Sequence, residues 1–127
     1  MNRVSMGRSI LVGKFTHRMD WKPLDSIEGW NTLLEASNDA PVVVFKHSTR
    51  CSISRMALKL TEQRWDLPAA VQPFLLDLLN HREVSSAIAM DLNVEHQSPQ
   101  LILIRDGKSV HHANHSSIDP VDLKTYL

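Results

Sequence analysis

Residues 42–60 constrain the fold most strongly, because a strand pattern changes there into a helix pattern around the only cysteine of the chain, Cys51. The run Val42–Phe45 is β-branched and ends in an aromatic residue, which is typical of a buried strand. From residue 53 onward the apolar residues recur at helical spacing and predict a helix that ends near Trp65. Cys51 is therefore expected at or just before the first helical turn. The residues expected to face the core are Ile53, Met56, Ala57 and Leu60.

The start of a helix favours a negatively charged cysteine. Unpaired backbone N–H groups and the positive end of the helix dipole meet there, and both stabilise an anion. For a cysteine that anion is the thiolate, which is the nucleophilic form. Residues 46–64 add five Lys or Arg and one His against a single acid, Glu62. The basic residues are Lys46, Arg50, Arg55, Lys59 and Arg64. The sequence therefore predicts that Cys51 is kept as a thiolate.

Composition and charge narrow the class of protein. A chain of 127 residues is long enough for one domain with its own core. The formal net charge is zero, so electrostatics suggest neither a nucleic acid nor an acidic membrane surface as a partner. One cysteine forms no internal disulfide, and no apolar run approaches the roughly 18 residues of a membrane span. We therefore expect a cytoplasmic protein that is a monomer or a weak dimer.

The patterned part of the chain is expected to be a single domain over residues 19–127. Residues 1–18 are polar and basic without a sustained period, and we interpret them as an N-terminal extension that need not be ordered. Asp25 or Ser26 is expected to cap a first helix that precedes the strand at residue 42.

Strands and helices alternate after the cysteine, and the pair Asp106–Gly107 is a strong hairpin signal. The strand–helix–strand order predicts parallel pairing and the hairpin predicts antiparallel pairing, so the fold class is α/β with a mixed sheet. The predicted elements are a strand over 74–79, a helix over 81–90, a loop over 93–99, strands over 101–104 and 109–113, and a closing helix to 127 capped near Ser117 or Asp119.

This order is that of the thioredoxin fold, and two stretches carry a closer resemblance. Residues 45–54 read FKHSTRCSIS and residues 96–100 read HQSPQ. Together they resemble the YtxJ-type monothiol bacilliredoxins of the bacillithiol system, and the resemblance extends from Trp21 to Leu127. The first stretch is specific, whereas Ser-Pro-Gln alone is a weak signal. The resemblance implies a thioredoxin-like domain whose central mixed sheet carries helices on both faces.

The resemblance also implies a reaction. Cys51 would attack the mixed disulfide between a client protein and bacillithiol, which serves as co-substrate, with no tightly bound cofactor. Dithiol thioredoxins have a second cysteine three positions further on, and this chain has Ser54 there. The adduct on Cys51 would therefore be released by an external thiol, which makes the cycle monothiol. Ser54 shares a helix face with Cys51 and is expected to donate its hydroxyl towards the thiolate.

Further site residues follow from the same resemblance. Pro99 would match the loop proline that is cis in thioredoxin-like proteins, which leaves the backbone of Ser98 able to pair with an extended substrate. The malate-derived carboxylates of bacillithiol need cations, for which Lys46 and Arg50 are the nearest candidates, with Arg55 as a third. His47 is expected either to tune the site or to form a structural hydrogen bond.

Alternative interpretations remain open from the residues alone. Cys51 could be a buried core residue or the unreactive remnant of an adaptor that kept the scaffold. An iron–sulfur carrier of the monothiol glutaredoxin type also uses a Cys-x-x-Ser site. The Ser98–Pro99 pair could be ordinary turn chemistry. No metal site is predicted, because His111 and His112 are neighbours on a strand and point to opposite faces.

Overall fold

The computed structural model describes residues 19–127, so the predicted extension over residues 1–18 lies outside the described residues. The strands are β1 (Lys22–Pro23), β2 (Val42–His47), β3 (Gln72–Asp77), β4 (Gln100–Arg105) and β5 (Lys108–Asn114). The helices are α1 (Ile27–Ala36), α2 (Ser52–Arg64) and α3 (Arg82–Leu92), followed by 3₁₀ segments His115–Ser117 and Pro120–Tyr126. Within the described part of the chain, no helix is both long enough and apolar enough to cross a membrane.

The five strands form one sheet in the order β1-β3-β2-β4-β5. Strands β1 and β2 both pair with β3 in parallel, as crossover connections through a helix require. Strand β4 pairs antiparallel with β2 on one side and with β5 on the other. The predicted mixed sheet is therefore confirmed.

Every side chain of β2 is buried, because the strand is central and both faces of the sheet are covered. Val42 and Val44 join a cluster with α1 and α3, which we call the α1–α3 core. Val43 and Phe45 join a second cluster with α2 and the last 3₁₀ segment, which we call the α2 core. Helices on both faces, as predicted, are confirmed by these two cores.

The predicted buried face of α2 is wrong, because the face that packs on the sheet is offset by one residue along the sequence. Ile53, Met56 and Leu60 are exposed, with Met56 66% accessible, and Ala57 alone of the predicted set is buried. The face on the sheet is formed instead by small side chains, which allow the helix backbone to approach closely. Their hydroxyls are satisfied locally; one of them donates to the Ala57 carbonyl at 2.8 Å. The buried small residues of α2 are Ser54, Ala57 and Thr61.

The remaining element boundaries differ by small shifts. Strand β3 begins and ends two residues earlier than predicted, because the Asp77 carboxylate accepts the N–H of Leu79 and turns the chain. Helix α1 is capped by Ser26, whose side chain accepts from Gly29 N–H. The closing segment is 3₁₀ rather than α-helical, although its predicted cap at Asp119 is present and accepts from Val121 N–H. Helix α3 covers most of the predicted 81–90 range.

The predicted hairpin is confirmed, and its turn is anchored to the end of α1. Asp106 and Gly107 both have positive φ values, 52° and 73°, as a two-residue hairpin turn requires. Asp106 N–H donates to the carbonyl of Ser37 at 2.9 Å, and Gly107 N–H donates to the Ser37 hydroxyl at 2.9 Å. The buried Ser37 side chain therefore links two distant parts of the chain.

Ser37→Ala is expected to lower the free energy of unfolding by about 1–3 kcal/mol, because the N–H of Gly107 loses its partner. Urea unfolding followed by circular dichroism measures the change. Ser86→Ala is the matched control, since Ser86 is exposed on α3 and its replacement should change stability by no more than about 0.5 kcal/mol. Equal effects of the two substitutions would contradict the proposed anchor.

Candidate active site

Two chain segments meet at one edge of the sheet. Strand β2 ends at His47, and β4 begins at Gln100, which lies opposite Lys46 in the antiparallel register. Pro99 therefore precedes β4 at the edge where β2 ends and where the chain continues to Cys51. The Ser98–Pro99 bond is cis, as the resemblance implied.

Cys51 is the N-cap residue of α2, with extended backbone angles of φ −104° and ψ 122°. Its N–H donates to the Ser48 carbonyl at 3.2 Å, and its own carbonyl accepts from Arg55 N–H at 3.0 Å. The side chain is partly exposed and forms no cap bond. The backbone is thus hydrogen-bonded on both sides of Cys51, which lies at the start of the helix, as predicted. The partial exposure is inconsistent with the buried-core alternative.

His47 and Ser54 form a buried pair beneath this turn, with His47 Nδ1 and Ser54 Oγ 2.7 Å apart. The same hydroxyl oxygen accepts from Ser48 N–H at 3.0 Å. Burial is the main cause that lowers the pKa of His47, and the short contact with Ser54 holds its ring against the turn. No hydrogen bond reaches the Cys51 sulfur within residues 19–127, so the expected donation from Ser54 is not seen there. Ser54 instead holds the turn that carries Cys51.

Lys46 points away from Cys51. Side chains alternate along a strand, so Lys46 lies on the α1–α3 side and His47 on the α2 side. The Lys46 side chain is 0% exposed, and its Nζ lies 3.3 Å from both the Ser85 carbonyl and His96 Nδ1. A fully buried ammonium does not reach a ligand at the surface, so the expected contact with bacillithiol carboxylates is not provided by Lys46 in this structure.

The other predicted cations lie at the surface next to Cys51. Arg50 is exposed in the turn just before it. Arg55 is also exposed, and its guanidinium donates to the Thr49 carbonyl at 3.2 Å. Arg50 therefore remains the nearest predicted cation whose side chain is available to a ligand.

The segment around Pro99 is hydrogen-bonded through the carbonyl of the proline. The Pro99 carbonyl accepts from His115 N–H at 2.9 Å, which ties it to the first 3₁₀ segment. The Ser98 hydroxyl is buried without a hydrogen-bond partner within residues 19–127. A substrate role for Ser98 and Pro99 stays a prediction that their position at this edge permits.

An apolar groove begins immediately after Cys51. The exposed stripe of α2 and the first 3₁₀ segment enclose an open space of about 470 Å³. Its apolar side chains are Ile53, Met56, Leu60 and Ile118. The sequence analysis assigned the first three to the core and therefore missed this surface.

The sequence analysis also missed the contacts of His96 with Lys46 and Ser85. The sequence did contain a signal for the direction of Lys46. Side chains alternate along a strand, so Phe45 and His47 share one face and Lys46 lies on the other. The contact with Ser85 could not be found in this way, since Ser85 lies on a helix 39 residues away.

One histidine of β5 has an aromatic partner. The His111 ring stacks on Tyr126 with ring centroids 4.9 Å apart. Within residues 19–127, no group of three His, Cys, Asp or Glu side chains is arranged to hold a metal ion.

Comparison with known proteins supports the fold and the family. The family model described as monothiol bacilliredoxin BrxC matches residues 22–123. A solved thioredoxin-fold protein described as a candidate oxidoreductase is 29% identical, with a TM-score of 0.67, and the match covers 82% of this chain and 90% of that one.

Two thioredoxins show the same fold at lower identity. Thioredoxin from Malassezia sympodialis (Mala s 13) is 17% identical with a TM-score of 0.66, covering 86% of this chain and 89% of its own. Thioredoxin O2 from Arabidopsis thaliana is 22% identical with a TM-score of 0.63, covering 84% and 90%. The predicted thioredoxin-like fold is confirmed, and fold and family match together support a thiol redox role. The chain belongs to the monothiol bacilliredoxin family.

Proposed function

We propose that this protein removes bacillithiol, or a related low-molecular-weight thiol, from mixed disulfides on client proteins. The observation that carries the proposal is the state of Cys51. It is partly exposed at the N-cap of a 13-residue helix, and the chain has no second cysteine to pair with it. The fixed backbone on both sides of Cys51 would hold the sulfur in one place for in-line attack on a disulfide.

The first step is an exchange of one disulfide for another. The Cys51 thiolate attacks the bacillithiol sulfur of the mixed disulfide, and the client cysteine leaves as a thiolate. One sulfur–sulfur bond forms as one breaks, so no external electron acceptor is needed. The helix start supplies N–H groups and a positive dipole end that favour the attacking thiolate.

The second step requires an external thiol. Ser54 occupies the position of a resolving cysteine and is buried in contact with His47, so the adduct cannot collapse into an internal disulfide. A second bacillithiol thiolate attacks the adduct, releases Cys51 as a thiolate and leaves as the oxidised dimer. No tightly bound cofactor or metal takes part in this cycle.

The substrate would be recognised next to Cys51. Arg50 is exposed one residue before the nucleophile and offers a cation to the carboxylates of the bound thiol. The backbone of Ser98 lies at the same edge of the sheet and would pair with an extended client segment.

Intact mass spectrometry tests the proposed function. Incubation with oxidised bacillithiol should add the mass of one bacillithiol to the wild type, and excess reduced bacillithiol should remove it. Cys51→Ser should acquire no adduct and should release no bacillithiol from a labelled client protein. Ser52→Ala is the matched control, because Ser52 is exposed beside Cys51 and should keep full activity.

Failure of the wild type to form an adduct or to release the thiol from a client would refute the proposed function. Adduct formation from oxidised glutathione at the same rate would show that the site does not distinguish bacillithiol from other anionic thiols. Purification without colour under anaerobic conditions would count against the iron–sulfur alternative.

Arg50→Gln is expected to raise KM for a bacillithiolated client by about two- to fivefold, as the loss of one exposed charge contact implies. The effect should shrink as salt is raised, because exposed charges are screened. Lys59→Gln is the matched control: Lys59 is an exposed cation on the same helix, two turns beyond Cys51. Equal changes in KM for both variants would assign the effect to overall charge rather than to Arg50.

A further inference from the structure

Lys46 is a buried charge without a carboxylate partner. The ion pairs among residues 19–127 join Arg64 with Asp119 and Lys124 with Asp66, at the surface. Lys46 is flanked by Leu76 on β3 and by Gln100 on β4, and neither carries a charge. Among residues 19–127, its ammonium forms hydrogen bonds with the Ser85 carbonyl on α3 and the His96 ring in the loop after α3.

Burial of this ammonium is unfavourable for folding. Burial lowers the pKa of Lys46 from 10.5 to about 8. The folded chain still holds this proton at neutral pH, and the buried charge lowers the free energy of unfolding. An apolar side chain of similar length would avoid this cost. The burial of Lys46 therefore does not by itself stabilise the core, and its hydrogen bonds are the contacts through which it can act.

The contacts of Lys46 converge on the loop that leads to Pro99. His96 Nδ1 lies 3.3 Å from Lys46 Nζ and 3.2 Å from the Ser85 hydroxyl. One residue earlier, the Glu95 carbonyl accepts from Gln100 Nε2 at 3.0 Å. The loop is anchored at its start by Val94, which is buried in the α1–α3 core and whose N–H donates to the Ala89 carbonyl at 3.1 Å. His96 is exposed, and among residues 19–127 its side chain is held by its contacts with Lys46 and Ser85.

We propose that Lys46 is a positioning residue, which holds the loop of residues 94–99 through His96 and so fixes the place of Ser98 for an incoming client. The inference rests on the proposed function, because the loop matters only if a client docks beside Cys51. The charged donor on β2 would hold the exposed middle of the loop at His96, beyond the part that Val94 anchors in the core.

The contact requires a neutral His96. A neutral imidazole offers Nδ1 as an acceptor to the ammonium, whereas an imidazolium would repel it. Partial burial, and then the charge of Lys46, lower the pKa of His96, which keeps the ring neutral at physiological pH. The loop is therefore expected to loosen only in acid.

Lys46→Met should raise the melting temperature by about 5 °C at pH 7, because the buried charge is removed. The unfolded chain keeps the Lys46 proton up to about pH 10.5, but the folded chain loses it near 8. Between these values the unfolded state binds more protons, so wild-type stability rises with pH relative to the variant. The gap in melting temperature should therefore narrow above pH 8, and a constant gap would contradict the charge assignment.

Lys46→Met, although more stable, should have a higher KM for a client protein. Lys46→Met and His96→Ala are each expected to raise KM for a bacillithiolated client by about three- to tenfold, with kcat changed by less than about twofold. Alkylation of Cys51 by iodoacetamide should keep its rate, since a small reagent needs no loop. The double variant should match the single variants in KM, because both remove the same contact.

His112→Ala is the matched control, since His112 is exposed on β5 and has no contact with the loop. An unchanged KM in both Lys46→Met and His96→Ala would overturn the inference. The inference would also be overturned if the effects on KM multiplied in the double variant, or if alkylation of Cys51 slowed in parallel with thiol–disulfide exchange.

A failure of the proposed function can be told apart from a failure of this inference. If the wild type releases no thiol from any client, the proposed function fails. Hydrogen–deuterium exchange of the amides of residues 94–98 then tests loop positioning by itself. Exchange about threefold faster in Lys46→Met and His96→Ala, but not in His112→Ala, supports loop positioning. Equal exchange in all four proteins overturns it.

Discussion

The structure depends on one strand that is shared by two cores. Strand β2 is central in the sheet and buried along its whole length, so its side chains alternate between the α1–α3 core and the α2 core. Four apolar residues fill both cores before the strand reaches its polar end. Lys46 and His47 then emerge on opposite faces, and each arranges a different part of the candidate site.

The site is supported from both faces of the sheet. On the α2 side, His47 holds Ser54, and Ser54 in turn accepts from the N–H of Ser48 in the turn before Cys51. On the α1–α3 side, Lys46 reaches the loop through His96. These contacts provide hydrogen-bond partners for the two buried polar side chains at the end of β2 and join the strand to the turn before Cys51 and to the loop before β4. Among residues 19–127, the partly exposed side chain of Cys51 has no hydrogen-bond partner.

The packing of α2 determines which side chains surround Cys51. Small side chains on its buried face allow close approach to the sheet, and the larger apolar side chains are rotated outward. An apolar groove therefore begins one residue after Cys51 and is closed on the far side by Ile118. Cys51 therefore lies between an exposed arginine and an apolar groove, next to both charged and apolar surface.

The sequence by itself determined the features that local chemistry encodes. The β-branched run, the change to helical spacing and the Asp106–Gly107 pair specify strand, helix and hairpin, because backbone preference and period are local properties. They also placed Cys51 at a helix start without a second cysteine. Only the tertiary structure decided which side of α2 is buried and what Lys46 contacts. Both depend on what lies across the interface, namely the sheet beneath α2 and a helix and loop distant in the chain.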